Sequence, residues 1–305
     1  MKVHLDTDLG SDTDDLCALA MLLGWPDVEV TGITTSTDPG GVRAGMVSYA
    51  LRLADREDIR VAAGAAESLG GLFVPLAFPD YWPEDIEPRP SAPGAALDLL
   101  GESVDARATV VAVGPYTNIA AFEVWRPGVL ASAPTVVMGG HVPPAGEGFP
   151  AWGMRDDFNV QQDAAAARVV LERCAPIVVP VPTCLRVAVR RRHLDALRGA
   201  GPLARLVADQ AERHAADNGR PALPAEFPAL ADDLLNFQYD PLACAVAVGW
   251  DGAEIRTVGV DLSFEGAFLR MREREDAPSM RIVTDVDAER FENDWLAAVV
   301  RASPC

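Results

Sequence analysis

Residues 3 to 16 read Val-His-Leu-Asp-Thr-Asp-Leu-Gly-Ser-Asp-Thr-Asp-Asp-Leu and carry five aspartates: Asp6, Asp8, Asp12, Asp14 and Asp15. The stretch opens as a short apolar strand at Val3 and Leu5 and turns at Gly10. It ends where a helix begins, at Asp14-Asp15 before Leu16, Ala18, Leu19 and Leu22. Aspartates ahead of a helix serve as N-caps and favour the positive end of its dipole, which accounts for two of the five. Five carboxylates this close repel one another unless a cation or protons neutralise them. A strand mouth lined with carboxylates is the usual setting of a hard-cation site.

The rest of the chain repeats the strand-then-helix rhythm. Residues 28–34 and 59–63 read as strands with a helix over 41–54 between them. Residues 109–113, 135–138 and 177–182 follow as further strands, separated by helical stretches. Strands alternating with helices imply βαβ units and a mostly parallel central sheet flanked by helices. We therefore expect one large α/β domain over residues 1–305, with its site at the C-terminal ends of the strands. The second half reads as helices over 194–206 and 206–216, an apolar helix after Pro241, strands at 254–260 and 280–284, a hairpin at 268–272 and a terminal helix over 287–300.

Two segments break the rhythm, 66–95 and 220–238, and both are expected to be active-site loops. In the first, Phe73, Phe78, Tyr81 and Trp82 either cover a flat ligand or pin the loop to the body. Asp232 and Asp233 are expected on the second, with Phe227 and Phe237 near the ligand. His4, His193 and His214 are expected away from the site, His4 in a strand and the other two on helix surfaces; His141, at a strand exit, is the histidine with the best claim on the pocket. Arg190-Arg191-Arg192 reads as a solvated helix start. Asp240, before Pro241, is a carboxylate at a helix start, where an ordinary N-cap is the simplest reading of the residues alone.

The formal charge of −19 makes nucleic acid and anionic membrane surfaces poor partners. No apolar run approaches the roughly 20 residues of a membrane span. The first strand starts within three residues of Met1, so no signal peptide is expected, and the five cysteines form no C-x-x-C pair. Buried free thiols in a reducing cytoplasm are the expectation.

Several short motifs fall in a telling order. Leu5-Asp6-Thr7-Asp8-Leu9-Gly10 with Asp14-Asp15 resembles the D-x-D-x-G-x-D-D signature of the calcium-dependent nucleoside hydrolases (the inosine-uridine-preferring family), with two extra residues before the final pair. Ile33-Thr34-Thr35, Gly114-Pro115-Tyr116-Thr117-Asn118-Ile119-Ala120, Met138-Gly139-Gly140, Asp157-Phe158-Asn159 and Tyr239-Asp240-Pro241 resemble further motifs of that family, in sequence order.

The resemblance implies hydrolysis of a ribonucleoside N-glycosidic bond by a metal-activated water. It implies Ca²⁺ held by Asp8, Asp15, Asp240 and the Val113 carbonyl, with Asp6 in support and Asp8 as general base. It places Asp14, Met138, Asp157, Asn159 and Asp240 on the substrate, and Trp82 in the lid over it. It also implies a homodimer or homotetramer acting on a small nucleoside or N-riboside.

Departures are visible too. Tyr239 stands where the family carries a histidine as leaving-group acid; a phenol of pKa about 10 is a poorer acid than imidazole, yet still able to hydrogen-bond a base. Asp157 replaces a longer glutamate, Glu147 is a weak stand-in for a missing asparagine, and Asp38-Pro39 replaces an asparagine-bearing turn. Asp12, in the insertion, has no assigned role. Two other readings compete: a nucleoside- or sugar-binding protein that lost turnover, and a phosphohydrolase built on Asp6-x-Asp8, for which Gly10 is the wrong residue.

Overall fold

The computed structural model describes residues 1–70 and 78–302. Phe73 and Cys305 lie outside the described residues. Eleven strands are present among them: β1 Lys2–Thr7, β2 Glu29–Thr35, β3 Val61–Ala63, β4 Thr109–Ala112, β5 Thr135–Met138, β6 Ile177–Val179, β7 Ala188–Arg190, β8 Leu234–Phe237, β9 Ala253–Glu265, β10 Phe268–Glu273 and β11 Ser279–Val286.

Nine strands form one sheet in the order β10-β9-β11-β6-β5-β4-β1-β2-β3. From β3 to β11 every neighbouring pair is parallel; β9 and β10 join antiparallel at one edge. The single α/β domain expected from the alternating pattern is thus the fold observed. The parallel strands are covered on both faces, and β4 and β5 are buried at every residue.

The order reverses at β1. From there β2 and β3 run to one side, and β4, β5 and β6 to the other. Such a switch point leaves a crevice beyond the carboxyl ends of the strands, the common ligand position in open α/β sheets. Asp6 pairs in register with Thr34 of β2 and Ala112 of β4, so the aspartate-rich turn leaves the sheet directly into that crevice.

The helix Asp14–Gly24 that follows is buried from Asp14 through Leu22. The C-terminal helix Ala288–Arg301 and the helix Tyr239–Ala247 both pack on it. At its far end the fit is so close that a Cβ on Gly24 would stand 1.9 Å from the Ala298 carbonyl oxygen.

Several expectations change. The helices expected over 194–206 and 206–216 are Leu194–Gly199 and Pro202–Asp217, parted at Gly201, whose extended backbone leads into a proline at the first helical position. The segment 220–238 is not one loop. It holds a 3₁₀ turn at Arg220–Ala222, a helical turn at Leu223–Glu226 and β8, whose four residues are all buried. Its Leu-Leu-Asn-Phe sequence is largely apolar and pairs antiparallel with β7. The segment 66–95 has neither helix nor strand before Ala95 among its described residues.

Arg190-Arg191-Arg192 does lead into a helix with Arg191 and Arg192 exposed, but the run is also tied down by ion pairs. Arg190 pairs with Asp232 and Asp233, and Arg192 lies 2.7 Å from the buried Glu292. His193 is buried against Trp295 rather than on a surface, and its Nδ1 accepts the Arg190 N–H at 3.1 Å.

Candidate active site

The turn after β1 is held open by specific contacts. Gly10 takes φ +140°, a conformation L side chains rarely adopt. Thr7 Oγ1 donates to the Asp15 carboxylate and accepts the Leu9 N–H at 3.2 Å, tying the strand end to the first helical turn. Arg43, almost fully buried, donates to the carbonyls of Asp8 and Leu9 and lies 3.7 Å from the Asp8 carboxylate. At the exit of β4 a Cβ on Gly114 would meet the Asp8 backbone nitrogen and its Oδ1 at 2.8 Å each, so only glycine lets the two strand exits approach.

Carboxylate oxygens of Asp14, Asp15 and Asp240 lie within 4.8 Å of one another, and all three residues are buried. Asp240 sits in the first turn of Tyr239–Ala247, more than two hundred residues along the chain from the other two. Burial, then mutual repulsion, pushes the pKa of each well above the ordinary carboxylate range. Asp8 is raised too, by burial against the opposing pull of Arg43. Asp6, fully buried beneath the turn, accepts from Thr34 and Asn118 through Oδ2, while its Oδ1 has no hydrogen-bond partner; burial pushes it up to about 7.

Hard anionic oxygens gathered so closely, more of them than the single charge of Arg43 can offset, suit a divalent hard cation, which would relieve the repulsion the folded chain otherwise bears. The donor set therefore fits a metal ion.

The carboxylates form one wall of a cavity of about 540 Å³. Met138, Asp157, Phe158 and Asn159 line it as well. Asn159 Nδ2 donates to the Val113 carbonyl at 2.5 Å and to that of Met138 at 3.3 Å, bridging the ends of β4 and β5. Asp157 has both oxygens engaged, accepting Gly140 N–H at 2.6 Å and Val160 N–H at 3.2 Å; burial raises its pKa to about 6. The structure thus gives Asp157 the work of holding the Gly139-Gly140 turn and capping the helix Phe158–Gln162.

Further lining comes from Ser11, Asp12, Tyr81, Trp152, His214, Asn218, Arg220 and Tyr239. The segment 66–95 does reach the cavity, through Pro79 and Tyr81. Trp82 does not: it is buried in the core edge-on to Tyr49 at 6.4 Å, and its indole N–H donates to the Gly10 carbonyl at 3.1 Å. Phe237 is wholly buried, Glu147 is exposed, and neither lines the cavity; His141 is half-buried and outside the lining as well. Asp38 instead accepts the Arg43 and Ala44 N–H groups at 2.8 and 3.0 Å, in the first turn of the helix Val42–Leu53.

His214 overturns the surface reading. It is buried and faces the cavity. The signal was in the helical period: Leu203, Val207 and Ala211 mark the inward face of Pro202–Asp217, and the next step lands near His214. Asn218, Arg220 and Trp152 carried no comparable mark, since they reach the cavity only through long-range packing.

No helix among the described residues is long and apolar enough to cross a membrane. Buried carboxylates at a parallel-sheet switch point, around a pocket sized for a small molecule, are the setting of an α/β enzyme that acts on a small molecule. A family model for inosine-uridine preferring nucleoside hydrolases matches residues 3–293, and the chain belongs to that family. It is an N-ribosyl hydrolase, acting on a ribonucleoside N-glycosidic bond.

The chain is 27% identical over 231 residues to a pyrimidine-specific ribonucleoside hydrolase RihA of Salmonella agona, covering 68% of this chain and 70% of the relative. Among solved structures, the plant nucleoside hydrolase PpNRh1 superposes with a TM-score of 0.78 at 21% identity, over 98% of each chain. A purine-preferring ribonucleoside hydrolase from Gardnerella vaginalis gives 0.76 at 22% identity, over 99% of each. At these identities the two structures speak for the fold.

Proposed function

We propose that this protein is a Ca²⁺-dependent hydrolase that splits a ribonucleoside into free base and ribose. The observation that carries the reading is the trio Asp14, Asp15 and Asp240, buried together in the lining of a cavity that Asn159 also lines. Asp8, Asp15, Asp240 and the Val113 carbonyl would hold the ion, with Asp14 close enough to share it or to bind ribose hydroxyls. When bound, the ion supplies Lewis acidity that acidifies and orients the attacking water.

Asp8 takes the proton of that water as it attacks C1′. The bond from C1′ to the base nitrogen breaks with its electron pair leaving on the base, through an oxocarbenium-like state whose positive charge the neighbouring carboxylates favour. Asn159 holds the sugar's far end, fixed by its own bonds to Val113 and Met138. Met138 packs on the ring, and Asp157 acts by fixing the turn beneath it. Tyr239 stays a protonated phenol, because burial pushes its pKa well above the usual 10, and serves as a hydrogen-bond donor to the base. The cytoplasm is the compartment that suits four buried free thiols, and a homodimer or homotetramer is the proposed assembly.

The test is a panel of purine and pyrimidine ribonucleosides incubated with the protein and calcium, with released base followed by chromatography. Base and ribose in equal amounts, abolished by a chelator, are expected. Tight nucleoside binding with no base released over a day would replace the hydrolase reading with a binding one.

A further inference from the structure

Asp12 stands in the two-residue insertion of the first motif, and the mechanism above leaves it idle. Its Oδ1 accepts from Asn236 Nδ2 of β8 at 2.6 Å and from the Thr13 N–H at 2.5 Å, while its Oδ2 faces His214 Nε2 at 3.5 Å. Asn218 Nδ2 lies 3.3 Å from His214 Nδ1 and donates to the His214 carbonyl at 3.0 Å. His214 Nε2 is buried and has no hydrogen-bond partner among the described residues. Tyr81 packs edge-on against the ring at 6.2 Å, and Tyr81 in turn donates to Asp217 at 2.6 Å. Asp12, Tyr81, His214 and Asn218 all line the cavity, as does Tyr239.

From this geometry we propose that the Asp12–His214 pair is the leaving-group acid of this enzyme, with His214 as the proton donor and Asp12 as its positioning residue. The proposal rests on the N-ribosyl reading above. As C1′–N breaks, the electron pair passes to the base nitrogen, which takes the proton from the His214 imidazolium; Asp8 keeps the proton of the attacking water, and solvent restores both residues for the next turnover. A carboxylate beside an imidazole supports the charged ring and fixes its orientation.

The charged groups facing His214 are Asp12 from the first turn, Asp217 from its own helix and Arg220 from the turn beyond; Tyr81 and Asn218 complete its surroundings. Burial lowers the ring's pKa, Asp12 and Asp217 pull it up, and Arg220 pulls it down. A lowered pKa makes the imidazolium a stronger acid toward a poor leaving nitrogen. Tyr239, a phenol held protonated, is not a competitor for that task. The inserted residues thus bring a replacement acid from a different helix.

The test compares a nucleoside, whose base leaves poorly without a proton, with p-nitrophenyl β-D-riboside, whose leaving group needs none. With calcium present, His214→Ala and the bulkier His214→Gln are expected to lose about 100-fold in kcat on the nucleoside. On the nitrophenyl riboside the same variants should stay within about threefold of the parent. Asp12→Asn should show the same split at about tenfold. Equal losses on both substrates, or no loss on either, overturn the assignment while leaving the hydrolase reading intact. A parent protein that cleaves neither substrate overturns both.

Discussion

The two ends of the cavity are built in opposite ways. At the carboxylate end, four of the acids come from ten consecutive residues, placed by one strand end, one glycine turn and one helix start. Asp240 alone arrives from afar. At the end where Tyr239 stands, His214, Asn218 and Arg220 come from around one helix end, Tyr81 from an irregular segment, Asn236 from a short strand and Asp12 from an insertion. The first end depends on backbone geometry at a sheet switch point, which allows little substitution. The second depends on which side chains several separate elements present, and no single backbone turn fixes them.

The contrast is sharpest if the carboxylate end is disabled first. Asp15→Asn or Asp240→Asn should lower kcat/KM on nucleosides by about a thousandfold or more, measured with saturating calcium, because each removes a charged group for which the fold offers no substitute. A loss of under tenfold would mean that the trio is a folding device. Removing the ion with a chelator should abolish turnover and lower the melting temperature, since a ligand that binds only the folded state stabilises it.

At the other end the expected losses are smaller and depend on the leaving group, as described for His214 and Asp12. Asn159→Leu should cost about tenfold in kcat/KM with kcat falling less, the pattern of lost sugar positioning.

A pH experiment separates structural carboxyls from the site. Asp157, raised to about 6, binds a proton in the folded state that it releases when unfolded near its ordinary pKa of 3.8. Its contribution to stability is full below about pH 4 and is lost as pH rises through 6. Asp6, raised to about 7, acts in the same direction over a slightly higher window. Metal-free protein should therefore melt at progressively lower temperature between pH 4 and 7. Asp157→Asn should flatten the lower part of that slope, by an amount on the order of 3 kcal/mol for two pKa units. An unchanged slope would mean that other groups carry the pH dependence.

The smallest effect on chemistry is expected at Trp82, which supports the Gly10 turn from inside the core: Trp82→Phe should lower stability by about 1 kcal/mol while KM moves less than twofold. A large rise in KM would bring it back to the ligand.

Much of this was legible in the sequence. Alternation of strands and helices predicted the parallel sheet, and the clustered aspartates marked the strand mouth, because both signals are local. Asp240 could be tied to them only by resemblance. What escaped was the content of long-range packing. Tyr81 and Trp82 are neighbours of similar character, and nothing local says that the first faces the cavity while the second turns into the core. Asp12 had no reading until Asn236 and His214 were brought against it. His214 was readable in principle from its helical period, but a lone histidine among polar neighbours looks like surface. Arg43, an ordinary helix residue by sequence, proved to be the buried cation beside Asp8.

The helix Asp14–Gly24 carries two site carboxylates at one end and meets the backbone of the C-terminal helix at the other, where Gly24 touches Ala298 and Trp295 donates to the Cys17 carbonyl. Synthesis runs from the first of these elements to the last. The acids of the first motif are thus translated before the surface that seats them: the helix that bears them gains its last packing partner only once the helix Ala288–Arg301 has been made. Until then water screens their repulsion, and the catalytic centre is unfinished.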